Sequence, residues 1–303
     1  MNYPLRYLLI TFWISLPLFS QSKLESFLKP SDSLNTSRRN GVIITEATLG
    51  GLTLIGLNQL WYKDYPRSSF HTINDNSEWL HMDKLGHVFT SYQMGRVGAN
   101  VLNWSGVSDR DQLIYGATLG FAFLVTVEVF DGFSKEWGFS WGDMGANATG
   151  TGLYIGQELL WNEQRFAIKY SFHQTKYASQ RPDKLGDGFL EELIKDYNGQ
   201  TYWLSANLHS FFKESKLPKW LNVAVGYGVD GLLTGKSDPN SDPLLNQNRT
   251  RQWYLSLDID LTKIRTNSHI LRTLFDVFHT FKVPFPALEF TEKNGIKAHA
   301  ILF

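Results

Sequence analysis

Three short runs bring together side chains that can move a proton or hold a cation: Asp83-Lys84-x-x-His87, Glu128-x-x-Asp131 and Ser140-Trp141-x-Asp143-x-x-x-Asn147. Several carboxylates around one imidazole are a ligand set for a divalent cation such as Mg²⁺, Mn²⁺ or Zn²⁺. Carboxylates crowded together also have raised pKa values, which suits general acid or base work. The plain alternative is a buried polar network that fixes the register of packed helices. The spacing favours one shared site. Asp83, His87, Ser91 and Gly98 follow steps of four, four and seven and share a helix face. Gly116, Gly120, Leu124, Glu128 and Asp131 share another, and Asp143, Asn147, Gly150 and Tyr154 a third. On each helix the acids lie beside the small residues, on the face that packs closest. An unpartnered buried carboxylate costs several kcal/mol, so these groups are expected to meet. The candidate cluster is Asp83, His87, Glu128, Asp131, Asp143 and Asn147, with Lys84 as its countercharge.

The elements that must position this cluster are hydrophobic helices. Gly41 to Trp61 has Glu46 as its only charge, and Leu113 to Phe130 has only Glu128. Both runs are long enough to cross a bilayer, which takes roughly 20 apolar residues; buried helices of a soluble bundle have the same composition. Pattern adds helices over Met82 to Leu102 and Trp141 to Trp161. Ser140 is placed to cap the second, with Asp143 in its first turn. Gly116/Gly120 and Gly152/Gly156 are spaced by four, and Gly86, Gly95 and Gly98 dot the helix between. Glycine inside a helix costs about 1 kcal/mol against alanine, which close backbone approach between helices offsets. A bundle of about four hydrophobic helices over residues 21–162 is the expectation.

These motifs, extended by Gly150, resemble the YfiM-like predicted periplasmic lipoproteins, a domain of unknown function, over about residues 80 to 160. Six polar positions and their spacing agree. Asn147 stands where the resemblance implies an acid, and the lipid-attachment cysteine is missing. A looser similarity to VanZ-type membrane proteins, which share an Asp-x-x-x-His helix start, implies membrane helices. Neither family brings an established reaction with it. The resemblance implies location and site rather than activity.

Composition bounds the rest. With 43% apolar and 19% charged residues the chain is neither disordered nor fibrous. Lys plus Arg (29) equals Asp plus Glu (29), so no field selects nucleic acid as a partner. The 303 residues include no cysteine, which removes disulfides, thiolate nucleophiles and Cys-based metal sites. No Ser–His–Asp order, nucleophile elbow or phosphate-cradling glycine loop stands out. At the start, Arg6, the apolar run Tyr7 to Phe19 and small Ser20 read as a signal peptide over 1–20, cleaved near Ser20 or Ser22; a membrane anchor is the other reading. The final segment, Ile296 to Phe303, ends like an outer-membrane barrel strand, with His299 and Lys297 in register with Phe303 and Ile301 on the would-be lipid face.

From residue 163 the period changes to two. Strands are predicted at Arg165 to His173, Tyr202 to Leu208, Trp220 to Tyr227, Trp253 to Leu261, Pro286 to Phe290 and Ile296 to Phe303. The clearest alternates Trp253, Leu255, Leu257, Ile259 and Leu261 with Tyr254, Ser256, Asp258 and Asp260. That suits a sheet packed on helices with its polar face in solvent, or a small membrane barrel with a polar lumen. Six strands fall short of the eight in small single-chain barrels, so a curled or partial sheet over 163–303 is preferred. Gly228 to Arg251 is predicted as a long exposed loop. Residues 174 to 200 carry an acidic amphipathic turn around Glu191, Glu192 and Asp196, then Asn198-Gly199, a turn into the next strand.

The expectation is an α+β, exported cell-envelope protein, periplasmic or outer-membrane, meeting membrane or envelope components and no nucleic acid. The residues name no protein partner and establish no cofactor beyond admitting a divalent metal. The leading function is a membrane-associated structural or assembly factor. The alternative is a metal-assisted hydrolase of an envelope lipid or glycan precursor.

Overall fold

Small residues decide how the helices of the first half meet. In the computed structural model, which describes residues 22–63, 65–236 and 249–302, four long helices form: α1 (Thr36–Leu57), α2 (Met82–Trp104), α3 (Leu119–Gly132) and α4 (Trp141–Trp161). The signal-peptide reading of residues 1–20 lies outside the described residues. A β carbon added at Gly95 would come within 2.4 Å of the Ala117 carbonyl oxygen, at Gly98 within 2.6 Å of that of Gly116, and at Gly120 within 2.5 Å of that of Ser91. At Gly150 on α4 it would meet Ser91 Oγ at 2.1 Å and the Val88 carbonyl at 2.2 Å. Helices α2, α3 and α4 are thus in backbone contact. The Gly152/Gly156 pair does not share this role, since nothing lies within 4 Å of either position.

The expected four-helix bundle also needs correction. Three helices pack on one another, whereas α1 stands largely apart with Val42 its one buried residue and Ile43, Ile44, Leu49, Leu52 and Ile55 exposed. Its start is fixed by Asn35, whose side chain accepts from the Arg38 N–H, and by the Arg38 guanidinium stacked 4.4 Å from the Trp104 ring.

All six expected strands are present, as β1 (Phe166–Phe172), β2 (Gln200–Asn207), β3 (Leu221–Asp230), β4 (Thr250–Ile259), β5 (Phe285–Thr291) and β6 (Gly295–Leu302). They pair antiparallel in sequence order. The sheet is open: β1 and β6 do not pair. The free edge of β1 is covered by the chain leaving helix α5 (His269–Phe278), with the Tyr170 N–H donating to the Thr280 carbonyl (3.0 Å) and the Lys282 N–H to that of Tyr170 (2.9 Å). No strand lies beyond β6 among the described residues.

Curvature is severe. In a flat sheet β1 and β4 would stand about 14 Å apart, three strand spacings. Yet Lys169 Nζ on β1 lies 2.7 Å from Asp258 Oδ2 on β4, both fully buried. Leu302 on β6 packs against the cluster of Trp203, Ala224 and Tyr254 from β2, β3 and β4.

The two faces of this curl are the reverse of a soluble sheet. Register aligns Ile168, Leu204, Val225, Leu255, Leu288 and Ala298 across all six strands on one apolar face. Part of that face covers the helices: Tyr170, Tyr202, Tyr227 and Val229 share a core with Met82, and Phe89 packs against it. The remainder is bare, with Leu204, Val225, Trp253, Leu255, Leu257 and Leu288 all exposed. The polar face expected in solvent is the buried one. Lys169, Ser205, Asn222, Ser256 and Asp258 line it, with Ser205 Oγ donating to Asp258 Oδ2 (2.7 Å) and Asn222 Nδ2 to Ser205 Oγ (2.8 Å). His299 turns to this inner face, where it meets Glu289, rather than to the outer face assigned from sequence.

The long-loop expectation holds less ground than predicted. β3 continues to Asp230 and β4 starts at Thr250, while Leu232 is fully buried, bracketed by the Asn198 amide, which donates to its carbonyl (2.8 Å) and accepts from its N–H (2.6 Å). Residues 237–248 lie outside the described ones. The acidic turn forms two short helices, Pro182–Leu185 and Phe189–Lys195.

The glycine contacts give a paired expectation. Gly150→Ala is expected to lose about 1–3 kcal/mol by overpacking, whereas Gly152→Ala is expected to be neutral or to gain up to about 1 kcal/mol of helix propensity. Thermal unfolding of both variants in the same detergent, followed by circular dichroism, compares them.

Candidate functional site

The carboxyl-bearing end of α2 is launched from an unusual backbone. Trp79, Leu80 and His81 all have positive φ (49°, 51° and 74°), a conformation costing roughly 1–2 kcal/mol per residue for a side chain with a β carbon. It is held from outside: the Trp79 N–H donates to the Gly235 carbonyl (2.8 Å) and the Tyr227 hydroxyl to the Leu80 carbonyl (2.6 Å). The sheet half therefore sets where Asp83, Lys84 and His87 begin.

In the first turn of α2, Lys84 gathers three acids. Its ammonium lies 2.9 Å from Asp83 Oδ2, 2.8 Å from Asp75 Oδ2 and 2.7 Å from Asp143 Oδ1. Burial opposes the charged lysine, but these carboxylates outweigh it and raise its pKa. Ser140 fastens the start of α4 into the same knot. Its hydroxyl accepts from the Asp143 N–H (3.2 Å), the cap read from sequence, and donates to Asp75 Oδ1 (2.6 Å), while its own N–H donates to Glu128 Oε2 (3.0 Å).

His87 sits at the centre. Nδ1 lies 3.0 Å from Asn147 Oδ1, so the tautomer that donates from Nδ1 leaves the Nε2 lone pair directed at the acids. Around Nε2 stand Asp83 Oδ1 at 3.9 Å, Glu128 Oε1 at 3.7 Å and Asp143 Oδ1 at 3.7 Å. Burial pushes the imidazole pKa down, but Asp83, Asp143 and Glu128 lift it, and the net shift is upward. Burial, aided by the Asp83 charge, pushes Asp143 up to about 6. Burial would also raise Asp83, yet His87 and Lys84 hold it below the usual aspartate range. The Tyr197 hydroxyl adds a hydrogen bond to Asp83 Oδ1 (3.0 Å).

Five of the six expected residues therefore converge: Asp83, His87, Glu128, Asp143 and Asn147, with Lys84 among them. Asp131 is set off by one helical turn from Glu128 and bonds the Tyr62 hydroxyl (2.7 Å) instead of facing Nε2. Asp83, His87 and Asp143 offer ligand atoms all within 4.8 Å of one another, the arrangement able to hold a metal. A surface cavity of about 560 Å³ lined by Asn58, Tyr62, Arg67, Phe130 and Ser134 opens beside the Asp131 partner.

Asp75, Tyr197 and Tyr62 escaped the sequence reading. Asp75 precedes the helix in an irregular segment and Tyr197 belongs to the sheet half, so neither falls on a helical period that would flag it.

With this geometry in view, one comparison bears on the site. Residues 72–156 match the family described as "Predicted periplasmic lipoprotein (DUF2279)". That span runs from the residues just before Asp75 through the end of the cluster on α4, so the matched unit is the site and the helices that carry it. The protein is accordingly an exported one of the cell envelope, as the matched family is described. No curated protein and no solved structure matches the chain. None of the 303 residues is a cysteine.

Lys84→Met removes the one permanent cation among Asp75, Asp83 and Asp143. A loss of about 3–5 kcal/mol is expected, the cost of stranding buried charge, measured by denaturant unfolding of the purified variant.

Proposed function

We propose that this envelope protein is membrane-embedded and acts as a structural or assembly factor, its helices fastened by the Asp/Glu/His/Lys cluster. The single observation that carries the reading is the inverted sheet. Burying Lys169, Asp258, Asn222 and Ser205 while leaving Trp253, Leu255, Leu257 and Val225 half-exposed is unfavourable in water, where each such side chain forfeits part of the about 1.5–3 kcal/mol that full burial gives. In a bilayer the same distribution is the favourable one, polar groups satisfied internally and apolar ones facing lipid.

Other surfaces support it. Thr36–Leu57 and Asp109–Gly132 are long and apolar enough to cross a membrane, and the first is almost entirely uncovered. Helix α5 presents Leu271, Leu274, Val277 and Phe278 outward while Asp276 turns in to Arg96 (2.5 Å), as an interfacial amphipathic helix does. The signal peptide, the division at residue 162 and the finer likeness to YfiM-like and VanZ-type proteins belong to this proposal. Side-chain contact with lipid then anchors the fold in the membrane.

A second reading, a metal-assisted hydrolase of an envelope lipid or glycan precursor, is favoured by the imidazole among carboxylates. Turnover of a lipid-linked precursor by purified protein, abolished in His87→Ala, would support it; none, from folded metal-loaded protein, would retire it.

The full chain expressed in a bacterium is expected to stay in the membrane pellet through alkaline carbonate and high salt, and to need detergent for release. Val225→Glu/Leu255→Glu/Leu257→Glu is expected to shift a several-fold larger share into the soluble or aggregated fractions. A wild-type chain that is monodisperse without detergent would overturn the reading.

A further inference from the structure

We infer that His87 Nε2, Asp83 Oδ1 and Asp143 Oδ1 form a binding site for one divalent transition-metal ion, with Glu128 Oε1 on the imidazole side of it. The site is independent of membrane embedding, and the hydrolase reading would in turn depend on it.

Distance is the first ground. At 3.7–3.9 Å the three carboxylate oxygens are too far from Nε2 for a hydrogen bond, and Nε2 makes none among the described residues. Metal–nitrogen and metal–oxygen bonds run about 2.0–2.2 Å, so two ligands of one ion stand roughly 3–4.3 Å apart; the distances from Nε2 to the oxygens fall in that interval, and the ligand atoms of Asp83, His87 and Asp143 all lie within 4.8 Å of one another.

Orientation is the second. Asp83 and Glu128 each have their second oxygen engaged away from the imidazole, while Asp83 Oδ1 also accepts from Tyr197 and Asp143 Oδ1 is shared with Lys84. Asp83 gives Oδ2 to Lys84, Glu128 gives Oε2 to the Ser140 N–H, and Asp143 is held at the capped first turn of α4. Asn147 fixes the imidazole from behind through Nδ1, the outer contact that metal-bound histidines almost always make.

Unmet polar capacity is the third and separate ground. Asp143, 3% exposed, has Oδ1 close to the Lys84 ammonium but accepts no well-directed hydrogen bond there. The same oxygen lies 3.7 Å from Nε2. Charge agrees: Asp75, Asp83, Glu128 and Asp143 confront one lysine, and a dication neutralises most of what Lys84 leaves over. One imidazole with two carboxylates selects Zn²⁺ or Mn²⁺ over an all-oxygen Ca²⁺ site.

The test uses the full chain purified in detergent and stripped with chelator, then titrated with Zn²⁺ and, separately, Mn²⁺. One ion per chain is expected, with affinity falling at least about 10-fold in His87→Gln and by about 10- to 100-fold in Asn147→Leu, which touches no ligand atom of the ion but releases the ring. Absence of stoichiometric binding to folded wild type, or binding unchanged in His87→Gln, overturns the inference. Should His87→Gln fail to fold, the wild type decides: the His87 Nε2 nitrogen resonance must shift on adding Zn²⁺, and an unmoved resonance overturns it equally. Metal bound without any hydrolysis leaves this site standing and removes only the hydrolase reading.

Discussion

Everything in the helical half is arranged around the need to neutralise buried acid. Asp75, Asp83 and Asp143 come from a connecting segment, α2 and α4, and all three reach a single ammonium on Lys84, at 2.8, 2.9 and 2.7 Å. Such a knot is costly to desolvate and has value only if its geometry is held. Gly95 and Gly98 on α2, Gly116 just before α3, Gly120 on it and Gly150 on α4 supply that hold, by allowing backbones to approach until carbonyls lie where a β carbon would be. Close packing and buried charge are therefore one design seen from two sides: the tight helix faces make the pocket, and the ion pairs fix their register.

The two halves of the chain are coupled through this region. Tyr197 reaches Asp83 from beyond the helices, Tyr227 holds the Leu80 carbonyl, and the left-handed run Trp79–His81 is fixed by the sheet side. Strained backbone of this kind persists where surrounding contacts over-determine it, and such places are enriched at functional sites. Here the strain lies immediately before the residues that face His87. The sheet is consequently part of the site's support and not merely an appendage.

How much of this was legible in the sequence follows from which distances are local. Asp83 and His87 are four apart, as are Asp143 and Asn147, so helical period alone put each pair on one face, and the chemistry of buried charge put the faces together. Period two located all six strands to within a few residues. What period cannot give is which side of a sheet is inside: Tyr254, Ser256 and Asp258 alternate with Trp253, Leu255 and Leu257 whether the polar set faces water or a core. Nor can it separate Gly116/Gly120 from Gly152/Gly156, whose spacing is identical and whose neighbours are set by tertiary packing. Asp75 and Tyr197 were out of reach because irregular segments and the far half of the chain have no shared period with α2. The apolar run of α1 reads alike in a bundle or alone.

The edges of the sheet are not equivalent, and this gives the molecule a direction. Along β1 the backbone groups of Tyr170 are already taken by Thr280 and Lys282, while the outer side of β6 has no strand beside it among the described residues. An unpaired strand is a template for another chain. Recruitment by strand addition has one polarity in this protein: it can lengthen the sheet after Gly295–Leu302 and is blocked before Phe166–Phe172, so copies meeting through like edges would pair β6 with β6 and stop at two.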